Sequence, residues 1–244
     1  MFTASRIRPD PDHILWHVAM GAMPGFVDER AGSVGWVRLS HRGIQYLDRL
    51  AIPRKQKNYI FSPRWDIRFN TAFEQVVRAC ADVTRPTIQK RTGRTWITQA
   101  LIRGLLQLHR MGYAHSCEAW CDGALAGGVW GFQIGRYVSM NSMFHRVSNA
   151  SKAAFARGQL HLRDLGFTWV DMNGVPDHLV DFGIEWVPQW KFEADLERQI
   201  DAPALRIGGS GPAPRPPWFV RYLPHWARIM ERASLRWAGP TPPR

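Results

Sequence analysis

The sequence predicts an α+β fold with a central mixed sheet, on three observations. Ile97, Leu101, Ile102, Leu105 and Leu108 form a 3.6-residue apolar stripe, the mark of an amphipathic helix. Three strand-like stretches follow at 114–121, 124–134 and 136–141, with Asp122-Gly123 as a hairpin turn between the first two. Helical and strand patterns then alternate as far as residue 192.

Taken in chain order, a short helix is expected over Pro11 to Gly21, broken by Pro24-Gly25. Residues 34–39 and 44–50 alternate and read as short strands. Asn70 to Asp82 reads as a helix, with Thr71 and Glu74 at capping-box spacing. A basic loop, 83–94, leads to the helix Thr95 to Met111, and Gly112 suits the position just past its end. After the three strands, Ser148 to Leu165 reads as a helix ending at Gly166, and 167–173 as a largely buried strand. Pro176 to Phe182 is a short helix before Gly183, and Ile184 to Phe192 reads as a strand. Residues 208–217 (GGSGPAPRPP) form a proline-rich linker, and nine of the seventeen prolines lie beyond residue 200. Beyond it, Trp226, Ile229, Met230, Ala233 and Trp237 share a helical face opposite Arg228, Arg232 and Arg236. Three units follow: a small basic N-terminal α/β domain, 1–69; a C-terminal α+β domain, 70–200; and an extra linker with a basic amphipathic helix, 201–244. From Thr95 the order α-β-β-β-α-β-α-β is that of the GCN5-related acyltransferase (GNAT) superfold.

The 244 residues carry 32 Lys and Arg against 20 Asp and Glu, a formal net charge of +12. The excess is segregated. Residues 37–68 net +6, 85–94 net +4 and 203–244 net +6, which leaves the rest of the chain at −4. Segregated positive charge interleaved with Tyr46, Tyr59, Phe61, Trp65 and Trp96 suits a phosphate-backbone partner. A solvated basic face serving solubility is the plainer alternative. No apolar run approaches the ~18 residues needed to cross a bilayer. The first twelve residues lack the apolar core of a secretory signal. Three cysteines, Cys80, Cys117 and Cys121, fit reduced thiols in a cytoplasmic protein.

Metal chemistry is not expected. His115, Cys117 and Cys121 share a strand face, but no second ligand pair with zinc-like spacing accompanies them. Nothing places a base beside any cysteine. Nucleotide loops of the GxxxxGK[ST] and GxGxxG kinds are missing. Where an acetyl-CoA-dependent member of the superfold carries a glycine-rich loop, this chain has residues 145–152 (HRVSNASK), without glycines to let backbone amides approach a pyrophosphate. Asp171 and Asn173 share one strand face and could hold an amine or accept its proton. Capping of the next helix is the other reading of that pair.

Several stretches together closely resemble the leucyl/phenylalanyl-tRNA-protein transferase family. They are TWIT (95–98), AHSCEAW (114–120), GGVWG (127–131), SMFHR (142–146), NASK (149–152), VDMN (170–173) and PDHLVDFG (176–183). The resemblance covers roughly residues 20–192 and is weaker at the start, through Gly21, Met23-Pro24, Phe26, Trp36 and Phe69-Asn70. It implies an enzyme, an aminoacyltransferase that moves an amino acid from aminoacyl-tRNA to an amine with formation of an amide. No metal or CoA cofactor is implied, because the activated ester arrives on the tRNA and the protein need only juxtapose reactants and stabilise an oxyanion. Asp171, Asn173 and Asn141 become the catalytic candidates. Trp96, Val129, Trp130, Val138, Ser142, Met143, Phe144 and Gly158 become candidates for holding the donor's side chain or terminal adenosine. Arg42, Arg54, Lys55, Lys57, Lys90, Arg91 and Arg94 become candidates for gripping the acceptor stem. The family implies a monomer; the cysteine usage points to the cytoplasm, and no membrane partner is expected because only the C-terminal segment looks amphipathic and basic.

Departures are specific. The family's Glu before Ser-Met-Phe is Asn141 here, and its Asp-x-Gln is Asp171-x-Asn173. The shorter amide draws its oxygen back by about 1.5 Å. The family's pocket methionine is Val129, its pocket phenylalanine is Gly158, and a tryptophan near Met23-Pro24 is Gly25. Gly158 implies a roomier pocket. The acceptor implied is a peptide N-terminus or a small amine. A decayed RNA-binding module and an acyl-CoA-dependent N-acyltransferase are the alternatives.

Overall fold

A computed structural model describes residues 2–7, 10–28, 33–83 and 95–208. The linker after 208, the C-terminal amphipathic stretch and the basic run 85–94 lie outside the described residues. Among the described residues ten strands form two sheets. Strands β1 (Phe2–Arg6), β2 (Met23–Asp28) and β3 (Ser33–Val37) make a small antiparallel sheet in the order β1-β3-β2. The large sheet holds β4 (His41–Tyr46), β5 (Asp66–Phe69), β6 (Ala114–Cys121), β7 (Ala124–Ile134), β8 (Tyr137–His145), β9 (Trp169–Asp171) and β10 (Glu185–Pro188). Its order is β10-β4-β9-β8-β7-β6-β5, antiparallel throughout except for β8 beside β9. The expected α+β class with a central mixed sheet is therefore found, and the elements from the helix before β6 to β10 follow in the expected order, with a 3-10 helix over Asp177–Phe182 in place of the last helix.

Six α-helices lie among the described residues: α1 (Pro11–Ala19), α2 (Lys57–Ile60), α3 (Phe73–Asp82), α4 (Gln99–Arg110), α5 (Ala150–Asp164) and α6 (Gln189–Asp201). Local chemistry accounts for their ends. Asp10 caps α1 by accepting the Asp12 N–H at 2.9 Å, and Thr98 caps α4 by accepting the Leu101 N–H at 3.2 Å. Gly112 and Gly166 follow α4 and α5 in the left-handed region, at φ 83° and 96°. The Thr71/Glu74 capping box is replaced by something stronger. Helix α3 starts at Phe73, and the buried Glu118 carboxylate on β6 accepts the N–H of Thr71 and of Ala72 and the Thr71 hydroxyl.

Two apolar cores lie on the two faces of the large sheet. Leu101, Leu105 and Leu108 of α4 join Val76 and Val77 of α3, Leu15 of α1 and Phe192 of α6 in one. The alanine-rich face of α5 (Ala153, Ala154, Phe155) packs with Val129, Val138 and Val170 in the other. Burial on this scale, at roughly 25 cal/mol per Å² of apolar surface, is the main stabilising contribution.

Three expectations change. Residues 184–192 split into strand β10 and the start of α6, whose Phe192, Leu196 and Ile200 face the core at i, i+4, i+8. Strands β1, β2 and β5 and helix α2 are additions, with Pro24-Gly25 inside β2. The large sheet takes β4 and β5 from residues before 70, so residue 69 is not a boundary in that sheet. Strand β4 sits between β10 and β9, and only glycine fits at residue 43, where a Cβ would stand 2.0 Å from the Gly174 carbonyl oxygen.

Candidate functional site

The site forms where β8 leaves regular pairing with β7. Trp130 opposes Ser142 and Gly131 opposes Met140, so Asn141 is the extra residue of a β-bulge. Gly131 is required there, since a Cβ on it would lie 1.8 Å from the Ser139 carbonyl oxygen. The bulge puts Met140, Asn141, Ser142 and Met143 along one wall of a cleft of about 1100 Å³. Ser148, Asn149, Ser151 and Lys152 at the start of α5 line it too, as do Ala79, Asp82 and Val83 at the end of α3. Pro176, His178 and Leu179 complete it, from a 3-10 turn over Asp177–Phe182. Arg146 and Lys152 give this rim positive charge. The Ser139 hydroxyl donates to the Asn141 side-chain oxygen at 3.0 Å, which fixes that amide at the cleft wall.

A second, apolar chamber of about 40 Å³ lies beside the cleft. Trp130, Val138, Cys117 and Gly158 line it, and Val129 and Met140 line both spaces. A Cβ on Gly158 would stand 3.2 Å from the Cys117 sulfur, so the room left by the missing side chain is already partly taken by the thiol. Burial pushes that thiol far up the pH scale, and it donates to the Ala154 carbonyl at 3.2 Å. It is neither a nucleophile nor a ligand. Among the described residues no cluster of three or more His, Cys, Asp or Glu is arranged to hold a metal.

Behind the cleft lies a buried polar network. Asp171 is fully buried and meets four donors, as many as a carboxylate has lone pairs to offer. Its Oδ1 accepts Arg42 Nε at 3.2 Å and the Asn173 N–H at 2.8 Å. Its Oδ2 accepts Arg42 Nη2 and the Tyr137 hydroxyl, the latter at 2.8 Å. Arg42 also donates to Asn173 Oδ1 at 2.9 Å and to the Gly21 carbonyl at 3.2 Å, and its guanidinium lies over the Phe192 ring. Burial opposes the charge on Arg42, but the Asp171 carboxylate and the Tyr137 oxygen together outweigh it and hold the guanidinium's pKa above its ordinary value. Burial, with the Asp171 charge beside it, pushes the Tyr137 phenol well up, so the phenol stays a donor.

These placements sort the residues singled out in the sequence. Asn141, Ser142, Met143, Phe144 and Val129 meet at the cleft, and Val129, Trp130, Val138 and Gly158 meet at the chamber. Asp171 and Asn173 stand together, as their shared face implies, but behind the wall and not on it. Trp96 is only 7% exposed and lies against Trp130, ring centroids 6.1 Å apart, so it has no open face for an adenosine. Arg42 is 0% exposed and cannot grip a phosphate; its charge belongs to Asp171. Arg54, Lys55 and Lys57 are exposed around α2, with Tyr59 and Phe61 beside them. Lys90, Arg91 and Arg94 lie outside the described residues. Tyr137, Met140, Lys152 and His178 were missed. Tyr137 could have been found from its strand period, since residues 137 and 139 share a face, but its partner is 34 residues away.

No helix among the described residues is long and apolar enough to cross a membrane. The sequence model of the family described as leucyl/phenylalanyl-tRNA protein transferase matches residues 44–197. A leucyl/phenylalanyl-tRNA--protein transferase of Anaeromyxobacter sp. (strain K) is 36% identical over 207 residues, covering 83% of this chain and 86% of that protein. One of Gloeobacter violaceus is 34% identical over 193 residues, covering 79% and 95%. Among solved structures, that of L-PGS from Bacillus licheniformis is similar at TM-score 0.41 and 10% identity, covering 72% of this chain and 63% of that one.

Proposed function

Because this chain belongs to the leucyl/phenylalanyl-tRNA protein transferase family, we propose that it moves an amino acid from aminoacyl-tRNA to the α-amine of a protein N-terminus. The acceptor nitrogen attacks the ester carbonyl, a tetrahedral oxyanion forms, and its collapse breaks the ester C–O bond as the amide is made; the nitrogen gives up a proton and the departing tRNA 3′ oxygen takes one up. The energy is already in the ester, so the reaction calls for neither a cofactor nor a metal, only juxtaposition and charge stabilisation. The observation that carries the reading is the pairing of spaces. A wide cleft with a basic rim lies beside a small apolar chamber, and Val129 and Met140 line both.

In this reading the 3′ end of the tRNA lies in the cleft, its phosphates near Arg146, Lys152 and the start of α5, where the helix dipole favours anions. The donor's side chain points toward the chamber. Asn141, whose place in the bulge takes it out of the β7 ladder, is the polar group closest to the chemistry, and Ser142 and Met143 flank the ester. Asp171 and Asn173 act from behind the wall. The exposed cations Arg54, Lys55 and Lys57 meet the acceptor stem. The setting is the cytoplasm, where charged tRNA is made, and the working unit is a monomer.

The test is direct. The purified chain is incubated with charged total tRNA and peptides bearing different N-terminal residues, and the products are followed by mass spectrometry. Loss of aminoacyl ester matched by a new amide on a peptide is expected. Ester that persists in every combination refutes the assignment.

A further inference from the structure

Arg42 touches neither the cleft nor the chamber, yet it is the hub of the network behind them. We propose that Arg42 is a positioning residue for the transfer reaction, acting on the bulge through Asn173; this rests on the function proposed above. Three links carry the effect. The guanidinium donates to Asn173 Oδ1 at 2.9 Å. The other end of that amide, Nδ2, donates to the Met140 carbonyl at 2.8 Å. That carbonyl belongs to the peptide joining Met140 to Asn141, the bulged residue at the cleft wall. A peptide group is planar, so holding its carbonyl fixes the direction of the Asn141 N–H as well.

Asp171 supplies the counter-charge that stabilises this geometry. With both oxygens engaged by Arg42, Tyr137 and the Asn173 amide, it has no lone pair left for an acceptor amine. Its part is to hold Arg42 and the turn after β9, not to take a proton. The Gly21 carbonyl and the Phe192 ring complete the cage, so α6 and the chain after α1 also bear on the bulge. An ammonium cannot reproduce the planar fork that spans Asp171 and Asn173 together.

The experiment compares the full-length native chain with Arg42→Lys and Asn173→Asp, measuring kcat, acceptor KM and the Kd for charged tRNA. In Arg42→Lys the fork is lost. In Asn173→Asp an acceptor oxygen for Arg42 remains, but the N–H that held Met140 is gone. Both should lower kcat about a hundredfold, as misplacement by an ångström does, with KM and Kd within twofold of native because nothing in the cleft is removed. Should Arg42→Lys not fold, Asn173→Asp breaks the same line one link closer to the bulge and decides alone. A kcat within threefold of native in Asn173→Asp overturns the inference. So does an Arg42→Lys variant whose kcat stays within threefold of native while its Kd for charged tRNA rises more than tenfold, since that marks a binding contact and not a positioning one. No transfer by the native chain sinks the functional reading and the inference together; transfer by the native chain with unaffected variants sinks only the inference.

Discussion

Glu118→Ala should destabilise the fold by about 3–5 kcal/mol. The carboxylate is fully buried and accepts from Thr71 Oγ1 at 2.8 Å, Thr71 N at 3.3 Å, Ala72 N at 3.4 Å and the Ser116 hydroxyl. Three effects add. Helix α3 loses its N-terminal acceptor, worth about 0.5–2 kcal/mol. At least one buried donor is stranded, at about 1–3 kcal/mol, and the one lost methylene adds roughly 0.8 kcal/mol. The hydroxyls can turn to other partners, which keeps the total below the sum of every bond. For a domain of this size the change corresponds to a fall in Tm of roughly 6–20 °C. Glu118→Gln should cost less, about 1–2 kcal/mol, because one oxygen still accepts while the new NH2 faces donors. Urea unfolding at fixed pH and calorimetry provide the numbers. A Glu118→Ala loss under about 1 kcal/mol, or a glutamine variant as damaged as the alanine one, would refute the capping argument.

Three further outcomes are expected. Gly158→Phe should close the apolar chamber, since even a Cβ there meets Cys117 at 3.2 Å; transfer of large apolar donors should fall more than tenfold relative to alanine, read in competition between charged tRNAs. Replacing Arg54, Lys55 and Lys57 together by glutamine should lower the salt slope of tRNA binding by about 0.9 for each phosphate no longer neutralised, measured by filter binding; an unchanged slope would put the grip elsewhere. His115 and His17 are held neutral, chiefly by burial, at about 4 and about 3. Both values lie below the ordinary 6.5, so the unfolded chain takes up protons first as pH falls. Stability is full above about pH 6.5 and declines toward pH 4, and His115→Gln should lower the slope near pH 5 by about 1 kcal/mol per pH unit in urea titrations.

Much of this architecture is written locally, and what is not has physical reasons. The stripe on α4 and the Asp122-Gly123 hairpin are legible because each needs only its own neighbours; the turn residues take φ 52° and 76° as such a hairpin requires. Strand β2 hides behind Pro24-Gly25, a breaker signal in most settings, because β2 is an edge strand and an edge tolerates proline. Helix α6 follows directly on Trp186-Val187-Pro188, and the apolar run of the strand masks the change of period. At the site, the Ser-Met-Phe motif and the shared face of Asp171 and Asn173 could be read along the chain. That Arg42 belongs to them could not, for its partner lies 129 residues away and its own neighbourhood reads as a basic surface. The lesson for Trp96 is similar. An aromatic beside a basic loop looks like a stacking platform until the sheet behind it covers the ring.

Strand β4 has a consequence for how the chain must be made. It leaves the ribosome early, at residues 41–46, but its two neighbours in the sheet are β9 at 169–171 and β10 at 185–188. At about 5–20 residues per second, roughly 7–30 s of synthesis separate β4 from the last of them. Until β9 is made both of its edges lack their partners, and the second edge waits longer, for β10, open to any other strand that passes. Arg42, on the same strand, is then a charge still awaiting its carboxylate. Hydration of that charge in the nascent chain opposes premature burial of β4. The residue that orders the finished site would thus also keep the waiting strand in water.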